Sequence, residues 1–507
     1  MEGLSFYVKT YGCQMNVYDS DKIALLLMQR GMIEVNDASA ADVVVLNTCH
    51  IREKAEHKVH TELGYLRAHK NARLAEGRRY IIAVGGCVAQ ASGSKIMDAA
   101  PFVDIVFGTQ TYHLLPDMIE AALARPDRVG SRERAKAGLA LPRLRDDAGP
   151  QLCEDDCAQS GYNGSGAYDN AYPHSCNNAL SPSDTKKSKR LINIQLSDCN
   201  KFDHLPASTF PKGAAFLAIQ EGCNKFCTYC VVPYTRGREI SRDAPSILSE
   251  ARLMAQHGVK EITLLGQNVN SYSWQDGSTR WTFASLVREV CAIEGIQRVF
   301  YTSSHPVDVT LDSIKIHAEL PQLMPFWHLP VQSGSSRVLA EMNRRYSADE
   351  YKRTIDTIRH YNPHIAMCSD FIVGFPGETD ADFEQTLELV RYVNYAQAFS
   401  FKYSARPHTV AAGMSNQIDE AVKSERLQVL QELLRRQQSE FNKRCIGQTV
   451  SALFQRYGHA ENQVLGKSQF MQSVVVQTNT PEAYLNSICD VKVVGATLSC
   501  LECEFLT

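Results

Sequence analysis

The chain has 507 residues, 44% hydrophobic and 21% charged, the balance of an ordinary folded protein with room for about two to four domains. A formal net charge of −3 gives no global pull toward nucleic acid, so any RNA contact has to come from local patches. No apolar run reaches membrane-spanning length and MEGLSFYVKT lacks the make-up of a signal peptide; with sixteen cysteines this predicts a reducing, cytoplasmic setting where clustered thiols bind metal or do chemistry.

Residues 1–130 repeat one theme. Strand-like SFYVK (5–9) runs into Tyr11-Gly12-Cys13, DVVVL (42–46) into Asn47-Thr48-Cys49, and YIIAV (80–84) into Gly85-Gly86-Cys87, with a fourth strand at 104–107. Helical patterns at 21–30 and 53–69 lie between them, which predicts a parallel α/β sheet covered on both faces. Ligands in such sheets sit past the carboxyl ends of the strands, so Cys13, Cys49 and Cys87 should converge.

The next stretch, 131–210, is rich in Ser, Gly, Asn and Pro and reads as a disordered insertion or linker. Its Cys153, Cys157, Cys176 and Cys199 are irregularly spaced and read as incidental thiols, and the run Lys186–Arg190 as a solvated charge run.

From 211 to 442, strand and helix patterns alternate. Six strands are expected at 214–220, 261–265, 298–301, 325–329, 365–373 and 398–403, giving a partial (β/α)6 barrel of the TIM kind with its site at the carboxyl ends of the strands. Cys223, Cys227 and Cys230 follow the first of them, spaced C-x3-C-x2-C. A structural zinc site and a closed iron–sulfur cluster each take four ligands, and three are offered. A polar amphipathic helix at 419–441 follows. The tail, 443–507, shows short β patterns and predicts a small antiparallel β domain, in which Cys489, Cys500 and Cys503 are strand residues.

Together, YGCQMN (11–16), NTCHIREKAE (47–56), GGC (85–87), GCNKFCTYCVVPYTRGRE (222–239), LLGQNVNSY (264–272), SSHP (303–306), HLPVQSGS (328–335) and DFIVGFPGET (370–379) resemble the methylthiotransferases of the radical S-adenosylmethionine superfamily. The resemblance implies an N-terminal methylthiotransferase domain, a radical S-adenosylmethionine core and a C-terminal β domain of the TRAM kind. It implies a 4Fe–4S cluster on Cys223, Cys227 and Cys230 whose open iron chelates S-adenosylmethionine, and an auxiliary 4Fe–4S cluster on Cys13, Cys49 and Cys87. The substrate it implies is tRNA carrying isopentenylated adenosine beside the anticodon. An electron donor such as flavodoxin or ferredoxin and a sulfur source would serve a monomer acting away from membranes. LGQNVNSY separates this substrate from threonylcarbamoyladenosine or a ribosomal-protein side chain, whose enzymes carry other residues there; a non-catalytic iron–sulfur or zinc protein that binds RNA is the alternative from another class.

Gly374, Pro376, Gly377 and Glu378 form a turn between strand and helix that, by the same resemblance, helps to seat S-adenosylmethionine, with a plain capping turn as the alternative. Gln267 and Asn268 follow the second barrel strand, where polar groups could meet cofactor or base. Arg236 and Arg238 could pair with a carboxylate or phosphate. His305 and His328 read as core histidines. The tail carries Arg456, Lys467 and Lys492 against five acidic residues, which offers no phosphate-binding stripe, and His408 stands where the family commonly has Gly.

Overall fold

The structure is a computed structural model, and its described residues are 1–49, 53–125, 190–196, 201–204, 212–458 and 460–506. The first domain is a six-stranded parallel sheet of β1 (Ser5–Thr10), β2 (Ile33–Glu34), β3 (Val43–Thr48), β4 (Ile81–Gly86), β5 (Ile105–Phe107) and β6 (Leu191–Asn193), in the order β2-β1-β3-β4-β5-β6. Val43 and Val45 of β3 pack toward the helices at Gln14–Gln29 and Leu115–Leu123, and Val44 and Leu46 toward those at Glu53–Ala75 and Ser94–Ala99. Both faces are buried, which is why the strand reads as an unbroken apolar run.

Two pieces of the segment expected to be a linker have defined places. β6 pairs with β5 along the sheet edge, and Lys201 and Phe202 are buried against the rest of the protein. Strand β6 is only three residues long, too short for its periodicity to stand out beside a polar tract. Cys153, Cys157, Cys176 and Cys199, the run Lys186–Lys189, and His50–Arg52 of the family motif lie outside the described residues. The first helix starts at Gln14 rather than at residue 21, directly after Cys13.

The central domain has six barrel strands: β7 (Gly213–Ala218), β8 (Val259–Leu265), β9 (Arg298–Tyr301), β10 (Phe326–His328), β11 (Ala366–Val373) and β12 (Gln397–Lys402). They form two hydrogen-bonded parallel triplets, β7-β8-β9 and β10-β11-β12, and a parallel bridge from Val299 to Leu323 carries the arc across the gap. Six of the intervening helices start at side-chain caps: Asp243, Thr282, Thr310, Ser335, Ser347 and Thr379 each accept a backbone N–H of the first turn, four of them as complete capping boxes.

The helix Glu420–Arg444 packs Leu430 and Leu434 on this core and leads into a closed five-stranded barrel: β13 (Thr449–Tyr457), β14 (Gln463–Ser468), β15 (Ser473–Gln477), β16 (Ser487–Ala496) and β17 (Cys500–Phe505). All its pairings are antiparallel except β15 with β17, which run parallel, so the expectation of a purely antiparallel tail is corrected on that point. Closure requires the last strand to insert beside β15 rather than continue the meander. Among the described residues no helix is long and apolar enough to cross a membrane.

The small barrel plugs the bottom of the central one. Arg298 pairs with Glu261 at 2.6 Å inside the larger barrel and donates to the carbonyls of Ser451, Lys467 and Ser468 across the junction. Removing one partner of a buried pair leaves the other charge uncompensated, so Arg298→Met is expected to destabilise the apoprotein by about 3–5 kcal/mol and lower its thermal midpoint, while Arg298→Met with Glu261→Met recovers most of the loss.

Candidate functional site

Two three-cysteine sites face each other where the first domain meets the barrel. In the first domain the strand order reverses between β1 and β3, the switch point at which open α/β sheets leave a crevice. Cys13 follows β1, Cys49 follows β3 and Cys87 follows β4. Gly12 lets the first two meet: at its φ of +132°, a Cβ would lie 2.3 Å from the Cys49 Cβ. Asn16 donates to Asn47 Oδ1 at 3.1 Å and to the Thr48 carbonyl at 3.0 Å, tying the start of the first helix to the end of β3. A hydrogen bond with Cys49 brings the Cys13 thiol down to about 6; burial opposes this and the Arg236 charge assists it. Burial pushes Cys87 up, and Arg236 counters it.

Arg236 comes from the barrel, one short helix after the second triad. It is 1% exposed and donates to Glu221 at 2.9 Å, to Asp19 at 3.1 Å and to Asn16 at 3.4 Å. Asp19 also accepts from Tyr112 at 3.0 Å and from Lys201 at 3.0 Å, and Lys201 pairs with Glu221. Burial disfavours the guanidinium charge, yet Cys87, Asp19 and Glu221 together raise its pKa well above the ordinary value.

The second triad lies on the loop after β7. Gly222 takes a φ of +78° and donates to Gln267 Oε1 at 2.5 Å, Cys223 N–H donates to the Gly237 carbonyl at 3.2 Å, and Cys230 N–H to the Cys227 carbonyl at 2.9 Å. From inside the barrel Arg344 donates to Cys227 Sγ and to the Tyr229 hydroxyl, each at 3.5 Å, and to the Pro330 carbonyl at 2.7 Å. Burial pushes Cys223 up to about 11 and Cys230 up to about 12.

The family model for the Radical SAM superfamily matches residues 217–390, and the one described as Uncharacterized protein family UPF0004 matches residues 5–108. The tRNA-2-methylthio-N(6)-dimethylallyladenosine synthase of Ehrlichia ruminantium (strain Welgevonden) is 42% identical over 499 residues, covering 98% of this chain and 97% of its own. That of Rickettsia akari (strain Hartford) is 42% identical, with 99% of each chain covered. The chain belongs to the tRNA-2-methylthio-N(6)-dimethylallyladenosine synthase family. The radical S-adenosylmethionine methyltransferase TsrM from Kitasatospora setae, solved with cobalamin and a 4Fe–4S cluster, shares the fold: TM-score 0.51, 13% identity, 81% of this chain and 77% of that one covered.

Membership of the radical S-adenosylmethionine superfamily implies a 4Fe–4S cluster and S-adenosylmethionine for this synthase-family chain. The residues fit such a group. Cys223, Cys227 and Cys230 lie on one loop after β7, and soft thiolate donors select iron–sulfur centres. Cys223, Cys227 and Cys230 still feel one another's charge in a buried setting, which a cationic iron centre would relieve.

The other expected site residues divide. Gly374 takes a φ of +69° and donates to Glu378 Oε1 at 2.9 Å, and Glu378 is taken up by Arg426 at 2.8 Å, so its carboxylate anchors the helix Glu420–Arg444. Gly377 N–H donates to the Asn416 carbonyl at 2.8 Å, and Pro376 is buried in the same turn. Gln267 shapes the cysteine loop. Asn268 donates to Asp308 at 2.8 Å while its buried Oδ1 has no hydrogen-bond partner. Arg238 is exposed. His408 has a φ of +67°, the region that favours Gly at this family position.

Sequence reasoning missed Asp19, Lys201 and Arg344, whose partners lie far along the chain, and gave no part to His305 and His328. His305 accepts from Val307 N–H at Nδ1, and its buried Nε2 is without a hydrogen-bond partner. Burial, with Arg344 and Lys225 adding to it, lowers its pKa to about 2, so the ring is neutral with Nε2 as the donor.

A Cβ at position 222 would fall 1.8 Å from the Arg238 carbonyl oxygen. Gly222→Ala is therefore expected to lower the iron bound by the anaerobically reconstituted protein by one cluster, about four atoms per chain. Gly413→Ala, where no atom lies within 4 Å of the new Cβ, is expected to leave it intact in the same iron analysis.

Proposed function

We propose that the protein transfers a methylthio group to C2 of N6-isopentenyladenosine beside the anticodon of tRNA, using one S-adenosylmethionine for radical generation and one as methyl donor. The observation that carries this is the pair of three-cysteine sites, each with at least one buried thiol, on either side of one domain junction, in a chain aligned over 98% of its length with synthases of that name. The C2–H of adenine is neither acidic nor hydridic, so acid–base groups reach it poorly and the hard step belongs to cofactors. When bound, a 4Fe–4S cluster on Cys223, Cys227 and Cys230 would supply the one-electron chemistry that opens the sulfonium of S-adenosylmethionine, and a second on Cys13, Cys49 and Cys87 would carry the sulfur species that is methylated and passed to the base.

The remaining residues place and enclose. Arg344 holds Cys227 and Tyr229, and Thr228 is clamped between the Met342 carbonyl and Ala411 N–H, so the cysteine loop is fixed from two sides. Asn268 Oδ1 and His305 Nε2 offer one acceptor and one donor, buried and free of hydrogen-bond partners. Gln267, with the turn of Gly374, Pro376, Gly377 and Glu378, frames the mouth for S-adenosylmethionine. Met15, Tyr18 and Phe202 exclude water from the side of the lumen nearest the first domain. A flavodoxin- or ferredoxin-like reductant and a separate sulfur source complete the stoichiometry, with the protein acting as a cytoplasmic monomer.

After anaerobic reconstitution with S-adenosylmethionine, dithionite and tRNA, the native protein is expected to form 5′-deoxyadenosine and 2-methylthio-N6-isopentenyladenosine. Cys227→Ala should abolish both products; Cys49→Ala should keep 5′-deoxyadenosine and lose the methylthio nucleoside. Equal loss of both in Cys49→Ala, read by mass spectrometry of the nucleosides, would refute the division between the two sites.

A further inference from the structure

The lumen of the central barrel is filled from two directions. Met15, Tyr18 and Phe202 cover Phe216, Ala218 and Leu265 of β7 and β8, and Phe441, Phe470 and Met471 close the floor against Phe300, Phe326 and Cys368. The large apolar side chains of the barrel strands that stay uncovered are on β12, beside β11. In their register Asp370 pairs with Phe399 and Ile372 with Phe401. Side chains two apart share a face of a strand, so Cys368, Asp370, Ile372, Phe399 and Phe401 stand together, and Cys368 in the floor marks that face as the inner one.

Phe399 is 46% exposed and Phe401 47%, and among the described residues no other large hydrophobic on the six barrel strands is exposed. The face continues to the cysteine loop, because Ile372 and Tyr229 pack against the same small core. His328 reaches over from β10. Its ring stands edge-to-face with Phe399 at 6.4 Å, its Nδ1 accepts from Ser303 N–H at 3.3 Å and its Nε2 donates to Asp370 Oδ1 at 3.2 Å. The imidazole thereby orients the carboxylate and leaves its second oxygen without a protein partner among the described residues.

Two uncovered phenyl rings next to an oriented carboxylate suit a nitrogen that carries one hydrogen and one apolar substituent. An N6-dimethylallyl adenine has that nitrogen: its N–H and its branched alkenyl group leave from the same atom. We propose that Phe399 and Phe401 form the subsite for the dimethylallyl group of the substrate adenosine, with Asp370, oriented by His328, accepting the adjacent N6–H. The assignment rests on the function proposed above and names the part of the site that tells prenylated from unprenylated tRNA. The face is built for the base rather than for S-adenosylmethionine, whose charged end belongs at the cysteine loop.

The test uses the anaerobically reconstituted full chain and two anticodon stem–loops that differ only in the dimethylallyl group, with dissociation constants measured for each and for S-adenosylmethionine. The native protein is expected to prefer the prenylated RNA by at least about tenfold, and F399A/F401A to bring that ratio to within about threefold of one. If the double variant does not fold, Phe399→Ser alone is expected to reduce the ratio at least about threefold. An unchanged ratio in the variants, an equal loss of affinity for both RNAs, no preference in the native protein, or a matching loss of affinity for S-adenosylmethionine each overturns the assignment. Native protein that prefers prenylated RNA but forms no methylthio nucleoside would sink the proposed function and leave the subsite standing; methylthio formation with an unchanged ratio would do the reverse.

Discussion

The arrangement depends on four charges buried at one junction. Asp19 comes from the first domain, Lys201 from the short piece before the barrel, and Glu221 and Arg236 from either side of the cysteine loop. Two acids and two bases balance, and each is at most 6% exposed. Taking such ions out of water costs several kcal/mol apiece, returned only if the geometry holds and every partner stays. A network of that kind tolerates little sliding, and it fixes Glu221, two residues before Cys223, relative to Asp19, six residues after Cys13. Each triad is thus a fixed distance from the other for a reason that lies in neither triad. A second set, Lys22 with Glu250 at 2.8 Å and Glu250 with Arg242 at 2.5 Å, repeats the device farther along the same helix.

What the chain's sequence made legible follows from locality. The strand ends carrying Cys49 and Cys87 show because β3 and β4 are buried throughout and open on unbroken apolar runs, with no polar side to confuse the pattern. Most of the barrel repeats show because their helices are preceded by a side-chain cap, a signal that spans only a few residues. The first helix begins seven residues before its expected start because Met15 and Tyr18 pack on the barrel rather than in their own domain's core, so its early turns lack the expected periodicity.

Non-local features stayed hidden for an equally physical cause. Lys201 sits beside a polar tract, and nothing in its neighbours says that it meets Asp19, 182 positions away. Arg236 looks like any basic residue after a metal loop until Asn16 and Asp19 are seen across the junction. His328 and Asp370 come together only because β10 and β11 are adjacent in the sheet. Glu378 adds a contact its motif does not announce: its carboxylate pairs with Arg426, 48 positions away.

The two outer domains share a task that is visible only when the barrel is considered as an incomplete one. A full eight-stranded barrel fills its interior with layers of its own side chains. Six strands cannot, and they leave an apolar lumen that water would otherwise enter. Here the helix Gln14–Gln29 fills it beside β7 and β8, and Phe470 and Met471 of the small barrel fill it from below. What these two fillings leave uncovered on the barrel strands is the pair Phe399 and Phe401 of β12, beside Ile372, which packs in one small core with Tyr229 of the cysteine loop. The first domain's helix, capped by Cys13, is at once the support of that cysteine and a filling of the barrel interior. A change in its packing would move Cys13 and the wall of Met15 and Tyr18 together, which ties the cysteine site of one domain to the interior of the next without any separate coupling element.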